Sequence, residues 1–149
     1  MRTPRASFVT LHLAGLLRGC RGTLEAECPL AHDVWDNAWF SAYEDPRFAL
    51  LEATDEVAVE ISVSVLSALE PVAATSLAAL IIQIEPGRHG LVLVAGPHRA
   101  TFLPQVWSTL ATPGRFVDAL LAKAGLPADP WSPFTRAWRY TAESFSEAP

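Results

Sequence analysis

The chain is poor in lysine, cysteine and basic charge, and each shortage excludes a class of protein. Lys123 is its single lysine, and 11 basic residues against 16 acidic ones give a net charge of −5, which provides no basic surface for nucleic acid. The other basic residues are arginines, a usage that suits bidentate anion contacts but also follows from genomic composition. Cys20 and Cys28 are too few for a disulfide framework, so we expect two thiols in a reducing cytoplasm, with a Cys20–Cys28 disulfide as the minor alternative.

Long apolar runs are also missing, since no stretch approaches the roughly 20 residues that a membrane-spanning helix needs. Arg2 and Arg5 precede the apolar residues 6–17, as in a secretory signal. Thr10 and His12 interrupt that stretch, however, and it alternates between two faces before ending in a turn rather than a cleavage site. We therefore interpret it as a first strand and expect no membrane association.

Sequence patterns for nucleotide cofactors and metals are absent as well. Gly15, Gly19 and Gly22 match neither the P-loop nor the dinucleotide-binding fingerprint. No pair of histidines or cysteines has the spacing of a zinc site. We therefore expect neither a metal nor a cofactor.

Apolar residues are present in the proportion that one compact domain requires. Half of the 149 residues are hydrophobic and 18% are charged, which argues against disorder. Hairpins, amphipathic helices and returning strands follow one another along the chain. We predict an α+β fold in which helices flank a mostly antiparallel sheet, as a single domain over residues 1–149.

The first half is predicted to be a hairpin, a helix and a returning strand. Ala14-Gly15 supplies the hairpin turn, and residues 30–43 form a helix that Asp45-Pro46 stops. Trp35 and Trp39, one turn apart, are interpreted as packing residues rather than a binding surface. The stripe predicted to be buried consists of Leu30, Val34, Ala38 and Ala42.

The returning strand, residues 57–66, has the clearest alternation in the sequence. One face is predicted to pack against the core and carries Val57, Val59, Ile61, Val63 and Val65. The opposite face either lines a cleft or is a solvated sheet face, and it carries Glu60, Ser62 and Ser64.

The second half is predicted to repeat this plan. Ser76 caps a short linking helix over residues 76–84, residues 91–94 form a strand buried on both faces, and Gly96-Pro97 turns a second hairpin. Thr112-Pro113 begins a helix that Gly125 ends, and residues 138–145 form the last strand. Residues 14–20 align with residues 95–101 at an offset of about 81 residues, so we infer a degenerate duplication with halves at about 6–72 and 87–147.

Residues 17–25 suit binding or catalysis better than packing. Gly19 and Gly22 bracket Cys20, and glycine within a strand marks a bulge or the close approach of a ligand or another backbone. In an extended strand Arg18 and Cys20 share a face, whereas Arg21 points the opposite way. A guanidinium beside the Cys20 thiol would favour its thiolate form.

Four segments together resemble the AMMECR domain family, which in its prokaryotic form is the A component of the AmmeMemoRadiSam system. They are Leu17-Arg18-Gly19-Cys20-x-Gly22 with Leu24-Glu25, Asp45-Pro46-Arg47-Phe48, Glu60-Ile61-Ser62-Val63, and Phe102-Leu103-Pro104-Gln105-Val106. The resemblance implies an α+β fold of two related halves and a surface cleft near the Arg-Gly-Cys segment. It also implies association with a MEMO-like protein and a radical SAM enzyme, without a settled activity.

Two departures from this family pattern carry structural expectations. Arg21 stands where family members usually have an apolar residue, so either a bulge turns it to solvent or that edge of the sheet is open. The helical segment that usually precedes the first strand is missing, so either an apolar sheet face is uncovered or the start codon lies upstream.

Two functional hypotheses stay open. In the first, the protein is an enzyme or substrate-handling subunit whose cleft holds a small anionic or peptide-like ligand through Arg18 and Arg99, with Cys20 as the nucleophile or redox thiol and Glu25 or Glu60 as proton acceptor. In the second, it is a binding module in which the same arginines recognise a carboxylate-bearing tail or surface of a partner protein and Cys20 is a small buried hydrophobe. His98 is the preferred histidine, although a solvated turn histidine is the alternative. The candidate ligand-binding residues are Arg18, Gly19, Gly22, His98, Arg99 and Gln105.

Overall fold

The computed structural model describes residues 3–147, which form two antiparallel four-stranded sheets and three α-helices. The predicted α+β class is confirmed, although the strands form two sheets rather than one. The strands are β1 Ser7–Leu13, β2 Leu16–Gly22, β3 Val59–Leu66, β4 Glu70–Pro71, β5 Gly90–Ala95, β6 His98–Phe102, β7 Thr135–Tyr140 and β8 Ala142–Ser146. The helices are α1 Leu30–Tyr43, α2 Leu77–Ile81 and α3 Pro113–Ala124, with a 3-10 helix at Pro104–Ser108. None of the helices in this part of the chain is long and apolar enough to cross a bilayer.

The chain divides into two compact units at residue 68. The first unit contains residues 3–68 and 143–147, with the sheet order β2-β1-β3-β8 and helix α1. The second contains residues 69–142, with the order β4-β7-β5-β6 and helices α2 and α3. The prediction of one last strand over residues 138–145 is wrong, because the chain changes sheets at Thr141, between β7 and β8. The assignment of one domain to residues 1–149 stays a prediction.

The first hairpin carries a one-residue bulge at Arg18. Ala14 and Gly15 form the predicted two-residue turn, and both have positive φ, 52° and 78°, as a type I′ turn demands. Leu17 pairs with His12 and Gly19 pairs with Leu11, so Arg18 is the unpaired extra residue. β2 is the edge strand of its sheet. The strand that carries Arg21 therefore has both a bulge and an open edge, the two alternatives expected for this residue. The Arg21 side chain is exposed, and its guanidinium carbon lies 4.2 Å from the centroid of the Phe40 ring.

Helix α1 has the predicted bounds, but the prediction of its buried stripe is wrong. The fully buried residues are Asp33, Asn37 and Ser41, which are polar and four residues apart. Asn37 Nδ2 donates to the Ser7 carbonyl (3.1 Å), and Ser41 Oγ donates to the Val9 carbonyl (3.2 Å). Hydrophobic periodicity missed this face because hydrogen bonds to β1 satisfy side chains that would otherwise be costly to bury.

The interpretation of Trp35 and Trp39 as packing residues is also wrong. Their side chains are 67% and 51% exposed, on the side of α1 that faces away from the sheet.

The prediction for the returning strand is wrong at its start, since β3 begins at Val59 and Val57 is 93% exposed. Most of the predicted apolar face of β3 is half-buried, and Val65 is buried.

The second unit follows the sequence more closely. Ser76 Oγ accepts the N–H of Ala79 and Thr112 Oγ1 accepts the N–H of Arg115, so both predicted caps are confirmed. Residues 91–93 of β5 are buried in succession, as the apolar run predicted. The core also contains Trp107, whose ring stacks on Phe116 with centroids 3.9 Å apart.

The two sheets share a strand order, although their hairpins differ in register. In each, the first arm of the hairpin lies between the second arm and the returning strand, β2-β1-β3 and β6-β5-β7. The second hairpin pairs without a shift, and Arg99 lies opposite Val94. In the first hairpin, the equivalent position lies opposite His12 and is occupied by Leu17. The alignment of Arg18 with Arg99 is therefore wrong in register, because the bulge adds Arg18 to the first hairpin alone.

We expect Gly19→Ala to destabilise the protein by about 3 kcal/mol or more, because the new methyl would overlap the α1 backbone. A Cβ at Gly19 would lie 1.8 Å from the Ser41 carbonyl oxygen. Gly114→Ala in α3 is the matched control, since a Cβ there meets nothing within 4 Å and should stabilise by up to about 1 kcal/mol. Urea denaturation of both variants measures this, and equal midpoints would contradict the packing described.

His89 is buried in the second unit and is held as a hydrogen-bond acceptor. The Glu85 N–H donates to its Nδ1 (2.9 Å), and the Trp107 Nε1–H donates to its carbonyl (2.7 Å). Burial, followed by the nearby guanidinium groups of Arg139 and Arg88, lowers the pKa of His89 below its usual value. The folded protein therefore favours neutral His89.

Because its pKa is lower when folded, His89 binds more protons in the unfolded chain, so it makes the protein less stable as the pH falls below about 6.5. We expect His89→Asn, whose Oδ1 can accept the same N–H, to weaken the pH dependence of the melting temperature between pH 7.5 and 5.5. Parallel melting-temperature profiles for the two proteins would show that His89 does not titrate on unfolding.

Candidate functional site

Asp45 is a buried side chain next to the Arg-Gly-Cys segment, and both of its carboxylate oxygens accept hydrogen bonds. Its buried carboxylate accepts the backbone N–H of Cys20 at Oδ2 (3.1 Å) and that of Arg47 at Oδ1 (3.1 Å). The Arg47 guanidinium donates to both oxygens, from Nε (3.0 Å) and Nη2 (2.8 Å). Two of the four segments that carry the family resemblance, residues 17–22 and 45–48, therefore meet at one carboxylate.

These bonds keep Asp45 ionised. The hydrogen bonds from the Arg47 side chain, together with the backbone N–H groups of Cys20 and Arg47, lower the pKa of Asp45 well below its usual range against the opposing effect of burial. The same pair raises the pKa of Arg47. Because β2 is an edge strand, its outward N–H at Cys20 needs such an acceptor, and Asp45 closes that part of the edge.

The Cys20 side chain lies on the sheet face opposite α1. Its Sγ is 3.4 Å from Thr10 Oγ1, directly across the strand pair. Thr10 in turn pairs with Ser62 of β3, so the three side chains form a row across the sheet. Cys20 and Cys28 are both free thiols.

Glu60 shares that face, one row further along. It pairs with His12, which lies two residues from Thr10 on β1 and therefore on the same side of the sheet. The sequence did not predict that His12 lies near Cys20. The strand register shows that both side chains are on the same face of the sheet, in neighbouring rows. Glu25 lies elsewhere, in a groove between β2 and α1 that also contains Arg21 and Cys28.

Arg18 reaches from the bulge to the loop after α1. Its Nη2 donates to the Leu50 carbonyl (3.0 Å), whereas Nη1 is buried without a hydrogen-bond partner in the described chain. A buried donor that lacks an acceptor costs about 1–3 kcal/mol, so the guanidinium is incompletely satisfied.

Gly19 and Gly22 contact their own chain closely. Gly19 lies against the Ser41 carbonyl, and the Phe8 ring covers Gly22, where a Cβ would be 2.1 Å from Cγ. Only glycine fits either place, which explains both residues through packing. Their assignment as ligand contacts stays a prediction.

The remaining candidates lie in the second unit. His98 Nδ1 is 3.0 Å from the Ala124 carbonyl oxygen, Arg99 is exposed on β6, and Gln105 is in the 3-10 helix beside a surface pocket. The convergence of Arg18 and Arg99 on one cleft, and the ligand-binding roles of these three residues, stay predictions. Within residues 3–147, no group of three or more His, Cys, Asp or Glu side chains is arranged to hold a metal ion.

Sequence reasoning missed the role of Asp45, which was interpreted as a helix stop. The signal was present, because Asp and Arg flank Pro46 and the proline bends the chain between them. The spacing alone did not show that the carboxylate reaches β2, since that contact joins residues 25 positions apart.

We expect Asp45→Asn to lower the unfolding free energy by about 1–3 kcal/mol, because Arg47 loses its ionised partner and the two donors at one of the Asp45 oxygens lose their acceptor. Glu85→Gln is the matched control, since Glu85 pairs with Arg88 (3.1 Å) between two exposed side chains and should change stability little. Urea denaturation at pH 7 compares them. An equal effect of both substitutions on the unfolding free energy would contradict the structural role described for Asp45.

Comparison with known proteins identifies the family to which the chain belongs. The sequence profile of the AMMECR1 family matches residues 1–145. A protein from Methanothermobacter thermautotrophicus is 37% identical over 150 residues, covering 98% of this chain and 77% of the relative, and one from Thermotoga maritima is 33% identical, covering 93% and 76%.

A solved structure agrees with these sequence matches. The crystal structure of an uncharacterised protein from Pyrococcus horikoshii superimposes with a TM-score of 0.88 at 31% identity, over 97% of this chain and 74% of that one. The shared fold, the profile match over nearly the whole sequence and the relatives above 30% identity all lead to the same assignment. The chain belongs to the AMMECR1 family.

Proposed function

We propose that this protein is a binding component that recognises a carboxylate or similar anion through Arg18. The supporting observation is the Arg18 guanidinium, which has one nitrogen anchored on Leu50 and another buried without an acceptor. A carboxylate that displaces the atoms covering Nη1 would supply two oxygens in the geometry that guanidinium prefers. Binding would then recover the free energy that the unpaired donor costs the unliganded protein.

The surroundings of Arg18 are built to hold it in place. Asp45 fixes the backbone at Cys20, two residues from the bulge, and Gly19 is locked against α1. A bulge re-aims the side chain that it carries, and here the backbone on its Cys20 side is fixed by packing or hydrogen bonds. Preorganisation of this kind lowers the entropic cost of binding.

The partners that we propose are a MEMO-like protein and a radical SAM enzyme, in a pathway that modifies another molecule. This part rests on family membership and on the Arg-Gly-Cys segment, by which the chain resembles the A component of the AmmeMemoRadiSam system. In this arrangement the chemistry occurs on the partner enzyme, and the present protein supplies recognition. We place the complex in the cytoplasm, where two unpaired thiols stay reduced.

The second candidate function is an enzyme that uses Cys20 as nucleophile or redox thiol. The observation in its favour is the pairing of His12 with Glu60 on the face that carries Cys20, since a thiol needs a nearby base. However, the contact that the geometry gives the Cys20 sulfur is the Thr10 hydroxyl, which is a poor base. The binding role is therefore the better supported of the two.

The test is co-purification from the native host with affinity-tagged wild-type protein and three variants, followed by mass spectrometry. Arg18→Ala should lose the MEMO-like protein and the radical SAM enzyme, and Arg18→Lys should retain them in part because the charge stays while the bidentate fork is lost. Arg115→Ala removes an exposed arginine from α3 and should retain both, as the matched control.

Cys20→Ser, as a fourth variant, separates the two candidate functions when the pathway product is measured alongside the co-purified partners. The binding role expects this variant to keep its partners and its effect in the pathway, since serine can occupy the place of the thiol beside Thr10. Retained partners with a lost pathway product would favour the enzyme. Arg18→Ala that purifies with both partners at wild-type yield would overturn the proposed role of Arg18.

A further inference from the structure

A pocket of about 400 Å³ lies at the surface of the second unit, beside the loop that leads into β7. Its volume is within the range of about 300–1,000 Å³ that is typical of small-molecule sites. Ala74 and Thr75 line it from the chain after β4, and Trp131, Ser132 and Arg136 line it from the loop and the start of β7. All of these residues belong to the second unit, so the pocket is complete within it.

The loop before β7 is held in place by hydrogen bonds. The buried Thr135 Oγ1 donates to the Pro130 carbonyl (2.7 Å) and accepts the backbone N–H of Ser132 (3.2 Å). The Trp131 Nε1–H donates to the Ala74 carbonyl (3.0 Å), so this side chain joins the two segments that form the pocket. The fixed φ of Pro130 restricts the backbone further. The pocket is therefore preorganised, which lowers the entropic cost of binding.

The Arg136 guanidinium is anchored at one nitrogen and has the other two available. Its Nη1 donates to the Pro133 carbonyl (2.9 Å) and to the Thr135 carbonyl (3.2 Å). Its Nε and Nη2 make no hydrogen bond to another residue of the described chain. These two nitrogens form the planar fork with which arginine binds two oxygens of one anion.

Two hydroxyl groups line the same pocket. Thr75 is exposed, and its hydroxyl makes no hydrogen bond within residues 3–147. The Ser132 hydroxyl accepts the Phe134 N–H (3.2 Å) and lies 3.3 Å from Thr135 Oγ1, whose own proton is donated to Pro130. Because 3.3 Å is long for a bond between hydroxyls, Ser132 can donate its proton to a ligand at little cost.

The charge of the lining favours an anion. Arg136 is its charged side chain, and no carboxylate is among the described residues that line the pocket. Asp129, which is close in sequence, accepts the Trp131 backbone N–H (3.4 Å) and is not part of the lining. The pocket therefore offers a cationic fork and two hydroxyl donors to an oxyanion.

We propose that this pocket binds a small phosphate monoester, with the phosphate on Arg136 and the organic part against Trp131. A phosphate monoester has three free oxygens, so the arginine fork would take two and the hydroxyls of Thr75 and Ser132 the third. A carboxylate, with two oxygens, would satisfy the fork but leave fewer acceptor positions for the hydroxyls. The half-buried Trp131 ring would pack against a flat, apolar organic group, which a free phosphate ion lacks.

The test is isothermal titration calorimetry of the full-length protein with phenyl phosphate, inorganic phosphate and benzoate. It is carried out at about pH 8, above the second pKa of about 6 of a phosphate monoester. Phenyl phosphate should bind at least about tenfold tighter than either of the other two anions. Arg136→Gln should weaken its binding at least about tenfold, and Arg136→Lys less, because the charge stays while the fork is lost. Arg115→Gln, which removes an exposed arginine from α3, is the matched control and should leave binding unchanged.

Thr75→Val keeps the test valid if the Arg136 variants alter the loop, since it removes an exposed hydroxyl and preserves the shape of the side chain. It should weaken phenyl phosphate binding about threefold or more. No saturable binding of phenyl phosphate, equal affinity for benzoate or inorganic phosphate, or unchanged affinity in both Arg136→Gln and Thr75→Val would overturn the proposal.

The Arg18 site and this pocket can be tested separately, because Arg18 and Leu50 belong to the first unit. Arg18→Ala should leave phenyl phosphate binding unchanged. Loss of binding in Arg18→Ala, with Arg136→Gln unaffected, would assign the anion to the first unit and overturn the pocket described here. Either proposal can therefore fail while the other holds.

Discussion

The polar seam between α1 and the first hairpin is the constraint on which the rest of the first unit depends. We use this name for the buried side chains of Ser7, Asp33, Asn37 and Ser41. They are small and hydrogen-bond one another or the β1 backbone, so α1 lies close to the sheet without burying unsatisfied groups. At that distance a side chain no longer fits between Ser41 and β2, which is why residue 19 is glycine.

The orientation of α1 follows from this seam and determines which surfaces are left for binding. With its polar side against β1 and β2, the helix directs Trp35 and Trp39 outward and leaves Val59 and Ile61 of β3 half-buried. The same orientation brings the chain after α1 to the edge of β2. Asp45 can then accept the Cys20 N–H, and Leu50 can accept a bond from Arg18.

The ends of the helices were predictable from the sequence wherever a single residue determines where the helix begins or ends. Thr112 with Pro113, Gly125 at positive φ and the Ser76 cap mark helix ends by their own side chains or backbone freedom. The buried face of α1 was not predictable, because the hydrophobic pattern counts Asp33 and Asn37 as exposed. Their burial depends on acceptors and donors of β1 that lie about 30 residues away in sequence.

The bulge is the feature in which the first hairpin departs from the second, and it affects the choice of site residues. Sequence alignment at a constant offset pairs Arg18 with Arg99, because an alignment of two short segments cannot detect one inserted residue at the bulge. The register instead relates Arg99 to Leu17 and leaves Arg18 without a counterpart. A residue inserted at a bulge re-aims a side chain at a local structural cost. Arg18 is such a residue, and the fold retains it with a donor nitrogen unsatisfied, so it supports a binding role on evidence that does not involve Arg99.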